Sequence, residues 1–332
     1  MMEIKSCPIT LAEGHSTYSK QGLVGLFSGH KVPHLLPYKN RNCSEETIEA
    51  FLNNRKFISI SGVQEKESIV QTKTKLRLSK AGEQGTHILK PIPAGLKLVK
   101  EVPANEHLTM QIARQVYKID TAANGLIFFE DGEPAYITKR FDIKQDGMKW
   151  GKEDFASLAQ KTSQNAGPNF KYEYSYEEMA ELLRKFVPAW KIDIERFFCL
   201  VLFNYLLSNG DAHLKNFGLL ESPAGDYRLS PAYDLINSNL HVDDSAFALS
   251  KGLFADDYKS ETWKKYGNAS QADFREFAKR IGVTEQRLEN LIAPFLEKQG
   301  EISQLISRSY LTESSKRGYL LRYQTRFNQF TK

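Results

Sequence analysis

The pattern of apolar and polar positions changes character near residue 147. Ahead of it the stretches are short and suit strands. Residues 57–66 alternate, reach a small-residue turn and run into Ser68-Ile69-Val70, which predicts strand, turn, strand. Residues 87–91, His-Ile-Leu-Lys-Pro, read as a strand with a lysine at its end. Residues 105–114 have helical spacing, with Leu108, Ile112 and Gln115 on one side and Glu106 near the start. Residues 125–142 predict a hairpin, because Glu130-Asp131-Gly132 supplies a turn between arms rich in aromatic and β-branched side chains.

After Asp146-Gly147 helical patterns dominate, over 153–161, 176–186, 194–207, 272–280 and 285–296. Ser175 and Glu178 form a capping box, and Pro188 closes the helix that follows it. The stretch 194–207 is apolar on every face after its first turn, which predicts a helix buried in a sizeable domain. With Asp193 as N-cap and Ser208-Asn209-Gly210 as breaker, it is too short to span a bilayer. The expected fold class is α+β in two lobes, a β-rich N-lobe and an all-α C-lobe. The expected division is an N-terminal arm over 1–45, the β-rich lobe over 46–147 and the helical lobe over 148–332. The arm is broken by Gly14, Gly22, Gly25, Gly29, Pro33 and Pro37, and a short helical pattern over 47–53 follows, capped by Ser44.

Composition narrows the class. The 332 residues, 41% of them apolar, can bury a substantial core. No apolar run of membrane length and no hydrophobic N-terminal signal segment is visible, so the expected location is the cytoplasm, away from membranes. Cys7, Cys43 and Cys199 are too widely spaced for a disulfide framework or zinc motif, and Cys199 is expected in the core. The net charge of +5, from 45 basic and 40 acidic residues, is too balanced to argue for sequence-specific nucleic-acid binding. The tail over 301–332 carries Arg308, Lys316, Arg317, Arg322 and Arg326 among Tyr and Phe, and reads as a solvated helical face.

The densest chemistry follows the apolar helix, in Gly210-Asp211-Ala212-His213-Leu214-Lys215-Asn216. Asp211 and Asn216 are spaced D-x-x-x-x-N, and Asp234 follows in Pro231-Ala232-Tyr233-Asp234. This set suits phosphoryl transfer from ATP: Asp211 as the catalytic base toward the attacking hydroxyl, Asn216 and Asp234 as ligands of Mg²⁺. Taken alone, the same residues could simply cap turns. The 57–66 turn can cover nucleotide phosphates with backbone N–H groups or be an ordinary hairpin. Lys90, between Leu89 and Pro91, suits the phosphate-binding lysine, with a glutamate from the next helix to hold it.

The 210–216 segment with its downstream Pro-Ala-Tyr-Asp resembles the HipA family of toxin Ser/Thr kinases from bacterial toxin-antitoxin operons. The stretch Ser-Ile-Ser-Gly-Val-Gln-Glu-Lys, ending at Lys66, resembles that family's Gly-rich loop. The resemblance implies a two-lobed, protein-kinase-like fold and nucleotide contacts from Ser61, Gly62, Val63, Gln64, Lys66 and Lys90. It implies further ATP contacts from the hinge Lys139, Arg140, Phe141 and Asp142 and from His213, Lys215 and Tyr233. Ser59 and Ser61 match loop serines that in this family are autophosphorylated. The protein substrate implied is an aminoacyl-tRNA synthetase, and the partner a DNA-binding antitoxin. Only 58 residues precede Ser59, whereas full-length family members carry on the order of a hundred residues as an extra subdomain there. The chain therefore resembles the short HipT-like form, whose missing piece is a separate small protein. Two other readings share the motif: a small-molecule phosphotransferase of the aminoglycoside- or choline-kinase type, and a non-catalytic module acting with a DNA-binding repressor.

Overall fold

A computed structural model of the chain describes residues 4–39 and 65–332. The first lobe is built on a five-stranded antiparallel sheet of β1 (Glu67–Thr72), β2 (Lys75–Leu78), β3 (His87–Lys90), β4 (Asn124–Phe128) and β5 (Pro134–Lys139), in the order β2-β1-β3-β5-β4. Both faces of the β4–β5 hairpin are apolar, and the period of two sends alternate side chains into different cores. Leu126, Phe128 and Tyr136 join the large core shared with the helices. Ile127, Phe129, Ala135 and Ile137 join a second core on the opposite face.

The N-terminal segment covers that second face. It forms α1 (Lys20–Phe27), capped by Ser19, and contributes Cys7, Ile9, Tyr18, Leu26 and Phe27 to the core. Its glycines do not break the element as expected. A Cβ on Gly22 would lie 2.9 Å from Cβ of Ile9, so the glycine lets the arm fold closely on itself. Two buried histidines fasten the arm: the His87 ring donates from Nε2 to the Leu26 carbonyl and the His107 ring from Nε2 to that of Ile9, each at 3.0 Å. The opposite face is covered by α2 (Val102–Gln115), which packs against β4 and β5. The expected 47–53 helix lies outside the described residues.

The second lobe contains α3 (Phe155–Leu158), α4 (Ser163–Ala166), α5 (Tyr176–Phe186), α6 (Trp190–Leu206), α7 (Glu261–Tyr266), α8 (Gln271–Arg280), α9 (Glu285–Glu297), α10 (Gln299–Arg308) and α11 (Glu313–Phe330). It also carries a three-stranded antiparallel sheet of β6 (Lys152–Asp154), β7 (Gly218–Glu221) and β8 (Tyr227–Leu229), which the all-α expectation lacked. The helix expected over 153–161 is thus strand at its start and four residues of helix after it. Pairing of Lys152 with Leu220 is a long-range bond that no local periodicity reports. Helix α5 has the expected bounds and its capping box. Helix α6 starts earlier than expected, because Asp193 is not its cap: the carboxylate is buried, and its Oδ2 accepts from the Leu229 amide at 2.8 Å. The tail is solvated on one side only, with Arg317, Gln324 and Asn328 exposed, and is packed on the other. Tyr319, Tyr323 and Phe330 are buried, and the Tyr319 and Thr109 hydroxyls share a 2.8 Å hydrogen bond that ties α11 to α2. Cys199 is half-buried at the core margin. No helix among the described residues is long and apolar enough to cross a membrane.

The lobes meet through main chain as well as side chains. Ala232 bridges Thr121, its amide donating to Asp120 O at 2.8 Å and its carbonyl accepting from Ala122 at 2.9 Å. The segment that ends at Asp234 is thereby held against the strand-bearing lobe.

Candidate active site

The apolar α6 ends in a turn at Ser208, whose φ of 55° is left-handed. The following loop is held by side chains. Asn209 donates to Asn204 Oδ1 at 2.7 Å and accepts from the Asp211 amide at 3.3 Å, and the Gly210 amide donates to Ser238 Oγ at 2.7 Å. Gly210 has no substitute here, since a Cβ would lie 2.5 Å from Asp244 Cγ and from the Ser245 carbonyl oxygen. Asp211 is mostly buried, and its Oδ1 accepts from the Tyr172 hydroxyl at 2.9 Å.

Asp234 reaches the same region from the loop after β8. Its φ of 56° is left-handed, a conformation that aspartate tolerates better than most residues and that concentrates at functional sites. Asn216 donates to Asp234 Oδ2 at 3.5 Å, and Lys90 lies 2.5 Å from Oδ1. Lys90 also lies 2.6 Å from Glu106 Oε1, the glutamate near the start of the predicted helix. Burial opposes the charge on Lys90, but Asp234 and Glu106 together hold its pKa above the ordinary lysine value. Burial likewise opposes ionisation of Asp234, yet Lys90 and Lys66 keep its pKa well below the carboxylate range. Glu106 moves the other way, up to about 7, because burial and the neighbouring Asp234 outweigh its lysine. One cation thus neutralises two carboxylates, and Asp234 keeps the larger share of its charge.

His213 is buried, and neither ring nitrogen has a hydrogen-bond partner among the described residues. Burial, aided by Lys171, pushes its pKa down to about 3, so the ring is neutral near pH 7 and one nitrogen carries a proton to donate. It lines a cleft of about 780 Å³ together with Lys66, Arg140, Asp142, Lys215, Tyr233 and Asp234. The structure therefore gathers seven of the expected nucleotide and metal residues on one cleft. Arg140 grips Asp142 with two hydrogen bonds, of 3.0 and 2.6 Å. Phe141 packs on Tyr233 with ring centroids 5.9 Å apart, and the Lys152 ammonium lies over both rings. The Tyr233 hydroxyl donates to the Lys215 carbonyl at 3.0 Å, joining the two loops. Lys139 is set apart from this group: its ammonium donates to Ser28 Oγ at 2.9 Å, on the arm. Ser59, Ser61, Gly62, Val63 and Gln64 lie outside the described residues.

Residue patterns did not single out Trp150, Lys152, Asp154, Lys171 or Tyr172. All but Tyr172 line the cleft, and Tyr172 reaches Asp211. Trp150, Lys152 and Asp154 come from β6 and the loop before it, Lys171 and Tyr172 from the loop between α4 and α5, and only the fold brings them together.

A five-stranded sheet covered by α2 on one face and by the arm with α1 on the other, a helical second lobe and a charged cleft between the lobes define a kinase-like two-lobed fold. Residues 58–301 match the HipA-like C-terminal domain, and the chain belongs to that family. Over 320 residues it is 26% identical to a Haemophilus influenzae protein named as a candidate kinase, covering 92% of this chain and 90% of that protein. It is also 26% identical over 276 residues to the candidate kinase Y4mE of Sinorhizobium fredii, and there it spans 59% of the relative's length. Among solved structures, HipA of Shewanella oneidensis, in complex with HipB and operator DNA, superposes with a TM-score of 0.65 at 19% identity, over 89% of this chain and 73% of that one. The Helicobacter pylori proinflammatory kinase CtkA superposes with a TM-score of 0.51 at 14% identity, over 79% of this chain and 90% of that one.

Proposed function

We propose that the chain transfers the γ-phosphoryl group of ATP to a serine or threonine hydroxyl of a protein. The observation that carries this reading is the buried Lys90 shared between Glu106 and Asp234, with Asn216 beside Asp234. A lysine fixed by a helix glutamate is the phosphate-binding arrangement of kinases. Asn216 and Asp234 offer one carboxamide and one carboxylate, oxygen donors that fit Mg²⁺ when phosphate oxygens and water complete its shell. The ion would neutralise charge on the nucleotide phosphates. Asp211 accepts the proton of the attacking hydroxyl, while Lys90, Lys66, Lys215 and the neutral His213 meet phosphate oxygens. Arg140, Phe141, Asp142 and Tyr233 serve the nucleoside, and Lys139 acts there through its backbone.

Family membership supports extending the reading to a toxin held in check by a DNA-binding antitoxin, as HipA of Shewanella is seen with HipB and DNA. A separate small protein in place of an N-terminal subdomain, cytoplasmic action, an aminoacyl-tRNA synthetase as substrate and autophosphorylation at Ser59 or Ser61 belong to the same proposal. The boundaries near 45 and 147 are proposed as the lobe limits.

The test is incubation of the purified chain and its Asp211→Ala variant with labelled ATP and Mg²⁺ in a lysate of the host, followed by phosphosite mapping. Asp211-dependent label on a host protein is expected. Label confined to metabolites would replace the reading with a small-molecule kinase, and nucleotide binding without transfer would leave a binding module.

A further inference from the structure

We infer that Tyr172 is a positioning residue for Asp211, setting the orientation of the carboxylate that receives the acceptor's proton. The inference rests on the phosphoryl-transfer reading. Tyr172 lies in the loop between α4 and α5, and its hydroxyl donates to Asp211 Oδ1 at 2.9 Å across 39 positions of sequence. An aspartate's terminal torsion is broad, so its backbone leaves the plane of the carboxylate loosely defined. A donor fixed from outside the loop defines it.

Tyr172 is such a donor because its own place is set by other elements. The Leu214 amide donates to the Lys171 carbonyl at 3.1 Å, and the Ser250 amide to the Tyr172 carbonyl at 2.8 Å. Four residues on, the Tyr176 hydroxyl donates to the Ala212 carbonyl at 2.9 Å, so the segment is stitched to the loop at two points just after Asp211. The Tyr172 ring stands edge-on to His213 with centroids 5.2 Å apart, and the Lys171 ammonium lies 5.0 Å from its centre. Lys171 and His213 both line the cleft. Main-chain hydrogen bonds thus fix the backbone of Tyr172, and contact with His213 and Lys171 holds its ring, so the phenol is a placed donor.

In the transfer step the acceptor O–H bond breaks and its proton passes to the Asp211 carboxylate. The acceptor oxygen bonds to phosphorus as the bridging bond to ADP breaks, and Tyr172 keeps its own proton throughout. Its contribution is orientation of the base at that moment, so its loss falls on kcat and spares nucleotide binding.

The experiment compares Tyr172→Phe, which keeps the ring on His213 and removes only the hydroxyl, in the wild-type and Asp211→Asn chains. In the wild-type chain kcat is expected to fall about tenfold, on the scale of a modest misplacement of a reacting group, with KM for ATP unchanged. In Asp211→Asn the same change leaves the residual rate as it was, because the group being positioned is gone. Tyr172→Leu, which also removes the ring, separates packing from the hydroxyl. An unaltered kcat in Tyr172→Phe, a loss seen only in Tyr172→Leu, or an equal loss in both backgrounds would overturn the inference while transfer by the wild type still stands. Absence of transfer by the wild type overturns the inference together with the reading beneath it.

Discussion

Lys90 and Asp234 are 144 positions apart in sequence and 2.5 Å apart in space, at the junction of the two lobes. Their ion pair joins the sheet of the first lobe to the segment that carries the expected metal ligand. Glu106 completes it from α2, so three elements converge on one ammonium group.

Replacing Lys90 by Met leaves two buried carboxylates without their cation. Breaking a buried ion pair by removing one partner costs about 3–5 kcal/mol, and Glu106 absorbs part of this by taking a proton, as its raised pKa allows. Phosphoryl transfer is expected to fall about a hundredfold or more, the scale of losing one charge-stabilising donor. Urea denaturation beside a transfer assay separates the two losses. A stable variant with full activity would remove Lys90 from the site.

Gly210→Ala tests the close approach of the loop that carries Asp211 to Asp244 and Ser245. The added methyl group must displace backbone at Ser245, and overpacking of this kind costs about 1–3 kcal/mol. Because the shift falls one residue from Asp211, activity is expected to drop at least about tenfold. Unchanged kcat together with an unchanged melting temperature would show that the loop yields freely.

The N-terminal arm is expected to act through stability alone. Phe27 is fully buried, with its ring 5.5 Å from those of Tyr18 and His87. Phe27→Ala should cost about 3–5 kcal/mol, while the rate per folded molecule at low temperature stays at the wild-type value. A kcat lowered in the folded fraction would assign the arm a part in the chemistry.

Four buried histidines, His213 of the cleft among them, make stability depend on pH. Burial pushes the pKa of His87, His107 and His241 down to about 4, and each ring donates to a main-chain carbonyl. In the unfolded chain they titrate near the ordinary value of about 6.5. Between those values the unfolded state binds protons that the folded state does not. The histidine contribution to stability is therefore full above about pH 6.5 and falls as pH drops toward 4, by up to about 1.4 kcal/mol per pH unit for each histidine, offset by one proton between about pH 4.5 and 7 at Glu106, whose pKa burial raises. Urea midpoints at several pH values check this, and His107→Gln should flatten the slope by one proton. Stability that rises over the same interval would contradict the assignment of neutral rings.

Much of the fold was legible in the chain. The capping box of Ser175 and Glu178 marks the start of α5, because both bonds lie within three residues. The turn at 130–132 marks the hairpin of β4 and β5 for the same reason. The start of α6 was misplaced because the Asp193 carboxylate accepts from the Leu229 amide, 36 positions away, and from the Arg196 side chain, as a residue inside the helix and not as its cap. The tail read as solvated since its tyrosines and basic residues share one face-less pattern, and only packing on α2 and α6 buries Tyr319 and Tyr323.

Residue types and spacing by themselves determined the helical and extended stretches, the polar loop behind an apolar helix, and the candidates Asp211, Asn216, Asp234 and Lys90. These are short-range properties, set by backbone hydrogen bonds and periodicity within a few residues. Tertiary structure alone decided that Lys90 is shared by two carboxylates, that the arm covers one face of the sheet, and that Tyr172 reaches Asp211. Each of these depends on which distant surfaces exclude water together, and that free energy belongs to the assembled core rather than to any segment.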